Sequence, residues 1–255
     1  MAVAIPQSLG VSTPMLIAGA FALPLLSLVT SRKRFFDVYA VLFSAAALVV
    51  ASLNLALVEA EGGKPIVYGF GGWPPPVGIV YEVDRFGAIL GLLTAAVMFL
   101  IVLYSTWYTE GMDGYVWYYT LLLGMEAGLL GCIYTGDAFN LFVMIEVLAI
   151  SAYGLVAFYR SRPQAVEAAM KYAFIGAAAT TLYFLALVFL YGAFGTLNMA
   201  DLAIKATGIE LLRVPYSGSI FGSAEAATAV ALALALWTFT FKAALFPNHF
   251  WLPDA

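Results

Sequence analysis

Seven runs of mostly apolar residues dominate this chain. Each is about as long as the 20 residues an α-helix needs to cross a bilayer. They fall at roughly 11–30, 35–58, 84–107, 116–135, 138–159, 164–192 and 223–252. The 255 residues are 64% hydrophobic and 10% charged, against about a quarter charged in a soluble domain. The expected fold is an all-α polytopic membrane protein with one transmembrane domain over residues 1–255. Residues 1–110 hold its first three spans. The last two runs are long enough to tilt, break or protrude.

Composition also removes several function classes. The net charge of −4 is small and the basic residues are scattered, so no basic stripe of the kind that binds nucleic acid is present. One cysteine, Cys132, and one histidine, His249, cannot supply the ligands of an iron–sulfur cluster, a structural zinc or a bis-histidine haem. No GxxxxGK[ST] loop occurs. The chain is expected to carry no cofactor, no metal and no catalytic centre, although it fits a subunit of an ion-translocating oxidoreductase. Its N-terminus lacks a basic n-region and a small-residue cleavage site, so the first apolar run reads as a span.

Loop charge sets the direction. Arg32, Lys33 and Arg34 follow the first run, and Arg160 and Arg162 follow the fifth. In a seven-span order both loops share one side, which the positive-inside rule makes cytoplasmic. The protein is expected in the cytoplasmic (inner) membrane, with its N-terminus outside and its C-terminus inside. At 59–83, two runs of β-formers flank "GFGGWPPPVG", which predicts a small extracellular hairpin. "GTLNMADLA" predicts a short surface helix capped near Asn198.

Four ionisable residues fall inside predicted spans: Glu126, Glu146, Lys171 and Lys242. A charge near a helix centre costs roughly 3 kcal/mol on insertion scales. Each therefore needs a partner, a wet cavity or a changed protonation state. Glu146 lies about 12 Å into its helix at 1.5 Å per residue; it reads as a proton-relay carboxylate or as half of a buried ion pair that fixes helix register. Pro247 cannot donate to the carbonyl four residues back, so the last helix is expected to break just after Lys242. Broken backbone at membrane depth is tolerated only against protein or a water-filled cavity. Lys242 beside freed carbonyls thus fits a hydrated ion site, or a kink with its lysine held by one carboxylate. His249, seven residues on, extends that relay or hydrogen-bonds the broken backbone. Lys171 and Glu167 stand in i,i+4 order and form either a relay step or a local ion pair. Glu126 is flanked by Gly124, Gly128 and Gly131, and small residues of this kind allow tight helix contact. It reads as a packing carboxylate or an accessory relay member.

Three motifs resemble a known family. "TGDAFNLFVMIEVLAISAYGLVAF", "EAAMKYAFIGAAATTLYFLALVFLYGAFGTLNMADLA" and "FKAALFPNHFWLPDA" look like the antiporter-like membrane subunits of respiratory complex I. They resemble still more closely the D-type subunit of Mrp cation/proton antiporters and its counterpart in membrane-bound hydrogenases. The resemblance implies that residues 116–255 form the first part of an antiporter-like helix repeat. It further implies that Glu146 and Lys242 are the key charge pair, with Lys171 and His249 at further proton-path positions. Family members typically have about fourteen spans in two inverted five-helix repeats. This chain stops at Ala255, inside the first, as a fragment or as one half of a split subunit would. The implied partners are the other membrane subunits of one complex, including whatever supplies the second half. The implied cargo is protons, joined by sodium only if the complex is a sodium/proton antiporter. A redox-driven pump and an Mrp antiporter both fit. The alternative is a non-pumping scaffold that docks other subunits.

Overall fold

A computed structural model describes residues 7–207 and 222–254. Among these, seven helices are long and apolar enough to cross a membrane. They are α1 (Gln7–Leu26), α2 (Lys33–Ala60), α3 (Arg85–Tyr108), α4 (Tyr115–Tyr134), α5 (Ala138–Val156), α6 (Pro163–Phe194) and α8 (Ala224–Lys242). A short helix, α7 (Met199–Ala206), precedes the last of them. Asn198 caps α7 by accepting from Asp201 N at 3.0 Å, as the "GTLNMADLA" pattern predicts. The rest of that loop, at 208–221, lies outside the described residues.

Helix α1 begins four residues before the expected span. The polar residues of its first turns point inward. Ser12 and Thr13 are buried, and Ser8 Oγ donates to Asn54 Oδ1 of α2 at 2.8 Å. Pairing with a neighbouring helix is what makes polar groups tolerable at such depth.

The predicted hairpin is present as a two-stranded antiparallel sheet. Strand β1 (Ile66–Gly69) pairs with β2 (Val80–Val83), Ile66 opposite Val83 and Gly69 opposite Val80. Gly71 and Gly72 take positive φ in the turn that follows β1, a conformation glycine adopts without steric cost. Both basic loops lie on the face away from this hairpin. Tyr115 OH donates to Ser31 O at 2.8 Å, Lys33 Nζ donates to Thr106 O at 2.8 Å, and the hydroxyls of Tyr108 and Tyr159 are hydrogen-bonded.

Packing divides the helices. Helices α1 to α4 share one core built on residues such as Leu16, Phe36, Ala95 and Leu130. Helix α5 packs on α4 and α6, and α6 on α8. The α4–α5 seam is tight because of the glycine stripe. A Cβ on Gly128 would stand 2.6 Å from Leu148 N. The small face at 176–181 serves the α6–α8 seam: Thr238 Oγ1 donates to Ala179 O at 2.7 Å.

Candidate proton-translocation site

Helix α5 is held firmly at its start, which sets the depth of everything it carries. Asp137 accepts from Asn140 N at 2.8 Å, an N-cap that satisfies one of the orphan donors of the first turn. The adjoining backbone is pinned from both sides. Gly136 N donates to Val80 O of the hairpin at 3.0 Å, and Ala138 N donates to Leu197 O at 2.8 Å. Burial pushes the Asp137 carboxyl above its ordinary range, against the pull of its backbone donors at Asn140 and Phe139.

Glu146 sits eight residues inside α5. Its Oε1 is buried and has no hydrogen-bond partner. Tyr153 follows by seven residues, two turns of helix, and so shares its face. Helix α8 brings Lys242 to this face as its last residue. The Lys242 ammonium lies over the Tyr153 ring, 5.9 Å from its centroid, a cation–π distance. Glu146 acts electrostatically on both Lys242 and Tyr153. Cys132 of α4 lies in the same neighbourhood. No ion pair joins Glu146 to Lys242: the ion pairs among the described residues lie elsewhere. Two turns of α5, about 10 Å at 1.5 Å per residue, separate Glu146 from the tyrosine that Lys242 covers.

The chain after Lys242 leaves the helix as the Pro247 argument requires. Residues 243–254 form turns, and Ala244 takes φ of 50°. The carbonyls released at the end of α8 are largely answered from within the turn. Leu245 N donates to Thr240 O at 2.9 Å and Ala244 N to Phe241 O at 3.1 Å. Trp251 Nε1 also donates to Phe241 O, at 3.1 Å.

The remaining candidates divide. Lys171 pairs with Glu167 at 2.7 Å and with Asp254 at 2.9 Å, so it fastens the terminal turns to α6 rather than meeting Glu146. His249 is exposed and packs on Phe246 at 5.8 Å between ring centroids. Its helical spacing from Lys242 does not carry over, because the helix has ended. Glu126 is fully buried on α4 and accepts from Ser44 Oγ of α2 at 3.1 Å. It thus faces α2, while its flanking glycines face α5. Sequence reading passes over Tyr153, Tyr172, Trp251 and Asp254. Only Tyr153 leaves a usable signal, its seven-residue spacing from Glu146.

Residues 135–255, which hold Glu146, Tyr153 and Lys242, match the family model described as NADH:quinone oxidoreductase/Mrp antiporter, transmembrane. Over nearly the whole chain, a subunit of an archaeal membrane-bound sulfane sulfur reductase superposes with a TM-score of 0.84 and 33% identity, covering 97% of this chain and 47% of that one. The chain is similar to the antiporter-like membrane subunits of the complex I and Mrp superfamily. Two curated members place it further. The D-type subunit of a probable K+/H+ antiporter from Rhizobium meliloti is 37% identical over 221 residues, 83% of this chain and 38% of that protein. The N-type subunit of an NADH-quinone oxidoreductase from Desulforudis audaxviator is 38% identical over 215 residues, 83% of this chain and 40% of that protein. The antiporter-like chain thus spans about two fifths of the length of the curated relatives it matches. One solved relative is part of an archaeal respiratory membrane complex.

Proposed function

We propose that this antiporter-like chain moves protons within a multisubunit membrane complex, with Glu146 and Lys242 as the exchanging groups and Tyr153 holding the lysine between transfers. The complex is a redox-driven pump or an Mrp-type cation/proton antiporter, with sodium as a second ion in the latter case. The chain sits in the cytoplasmic membrane with its basic loops inside.

One observation carries this reading. A buried carboxylate oxygen without a hydrogen-bond partner lies within electrostatic reach of an ammonium that no carboxylate holds. A fixed structural ion pair would be closed, since burying two charges apart forfeits the attraction that offsets their desolvation. An open pair has two states. When the ammonium approaches Glu146, the carboxylate favours the charged lysine. When it withdraws over Tyr153, that support weakens and the proton can leave.

The experiment is proton translocation by the assembled complex in sealed vesicles. Lys242→Ala should assemble and fail to translocate, and Lys242→Arg should also fail, because arginine does not release its proton. Translocation by assembled Lys242→Arg at the native rate would leave a scaffold role instead.

A further inference from the structure

An open groove of about 1110 Å³ lies where α1 ends and α2 begins. Its walls are apolar, with Leu26, Val29, Val38 and Leu42 among them. Arg32, Lys33 and Arg34 line it as well. These elements are ordered along α2. Arg34, Val38 and Leu42 follow at i, i+4 and i+8 and so form one stripe. The cation is at the top, with the two apolar side chains about 6 and 12 Å further along the helix.

The three basic residues differ in what already holds them. Lys33 is committed: its Nζ reaches Asp37 at 2.8 Å and Thr106 O at 2.8 Å. Arg32 and Arg34 are exposed, and neither takes part in the ion pairs among the described residues. Two guanidinium groups beside an anchored ammonium match a phosphodiester, which arginine engages through paired N–H donors. Directly below, Val38 and Leu42 are 58% and 62% exposed on a membrane-spanning helix. The phosphate-binding chemistry is thus joined to an apolar wall that a soluble phosphate would leave bare. Phe35 and Tyr39 also line the groove, and tyrosine is a residue type enriched at the headgroup level.

We propose that this groove is a binding site for an anionic phospholipid. Arg32 and Arg34 engage the phosphate, and an acyl chain lies along Val38 and Leu42. The inference stands apart from the proton path, which lies on α5 and α8.

The test uses the intact complex in nanodiscs of phosphatidylcholine containing a minority of phosphatidylglycerol. Either lipid carries a photoactivatable acyl chain in turn, and labelled peptides are mapped by mass spectrometry. Phosphatidylglycerol should label residues between 26 and 42, and phosphatidylcholine should label them weakly. Arg32→Gln with Arg34→Gln should weaken binding about 30-fold, from roughly fivefold per basic group at an anionic surface. Arg160→Gln with Arg162→Gln should leave it unchanged. Millimolar inorganic phosphate should not displace the lipid. Equal labelling by the two lipids, full retention in the Arg32/Arg34 variant, or displacement by inorganic phosphate would each overturn the proposal, the last in favour of a soluble anion.

Discussion

Trp251 lies flat on Tyr172, with ring centroids 4.3 Å apart and planes 1° from parallel. Tyr172 in turn meets Tyr153 edge-on at 4.6 Å. The turns that follow α8 are therefore tied, through α6, to the ring beneath the Lys242 ammonium. A segment that reads as a mere helix break is a strut of the site.

That contact sets the first prediction. Trp251→Ala removes the stack and the hydrogen bond to Phe241 O, and should cost about 3–5 kcal/mol, as for other buried aromatic deletions. Trp251→Phe keeps most of the stack and loses only the bond, at about 1 kcal/mol. Thermal unfolding of the purified protein in detergent should rank native, Phe and Ala in that order. Equal midpoints for the Phe and Ala variants would remove the stack from the account.

The second prediction concerns the α4–α5 seam. Gly128→Ala places a Cβ 2.6 Å from Leu148 backbone, where nothing can swing aside. Overpacking of this kind costs about 1–3 kcal/mol. At Gly124 the nearest atom is the rotatable Ser151 Oγ at 2.7 Å, so Gly124→Ala should be milder. Unfolding midpoints of the two variants provide the comparison, and a more stable Gly128→Ala would contradict the close approach of the two helices.

Much of this is legible from the chain alone. Span positions follow from apolar run length, and the end of α8 follows from the missing donor at Pro247. The Asn198 cap follows from side-chain chemistry next to a helical pattern. What escapes depends on which face meets which neighbour. Nothing local says that Glu126 turns to Ser44 while its flanking glycines turn to α5. Lys171 has Glu167 as its visible partner one turn away, but Asp254 is 83 residues away in sequence. The start of α1 is hidden because Ser8 precedes the apolar run, and only its bond to Asn54 of α2 gives it a place inside.

Asp137 gives a third prediction, in pH. Its carboxyl is raised by burial above its unfolded value. Ionisation therefore weighs against the folded state. The stability it permits is fully present below the unfolded value, near 4, and falls as pH rises through the higher folded value. Asp137→Asn keeps the N-cap without the charge, so it should flatten this part of the profile. Asp137→Ala loses the cap as well and should lie about 1 kcal/mol below Asp137→Asn at every pH. Unfolding midpoints from pH 3 to 7 test the three proteins together, and a native midpoint that climbs with pH while Asp137→Asn stays flat would reverse the sign.

The fourth concerns orientation. Cysteines introduced at the exposed positions Ser31 and Ser161 should react with an impermeant maleimide only from the cytoplasmic side, as basic loops imply. A cysteine at Val77, 66% exposed in the hairpin loop, should react only from outside. Native Cys132 lies within α4, which keeps background labelling low. Cytoplasmic labelling at position 77 would invert the topology.

The most direct test of the proton path is Glu146→Gln in the assembled complex. Gln keeps the volume and removes the charge that draws Lys242 from its place over Tyr153. Translocation in vesicles should fall to background while assembly is unchanged, and Glu146→Asp should retain part of it. Combining Glu146→Gln with Lys242→Ala should lower translocation no further than either change alone, because both break one unit. Native translocation by an assembled Glu146→Gln complex would contradict the account and leave Glu146 as a structural residue.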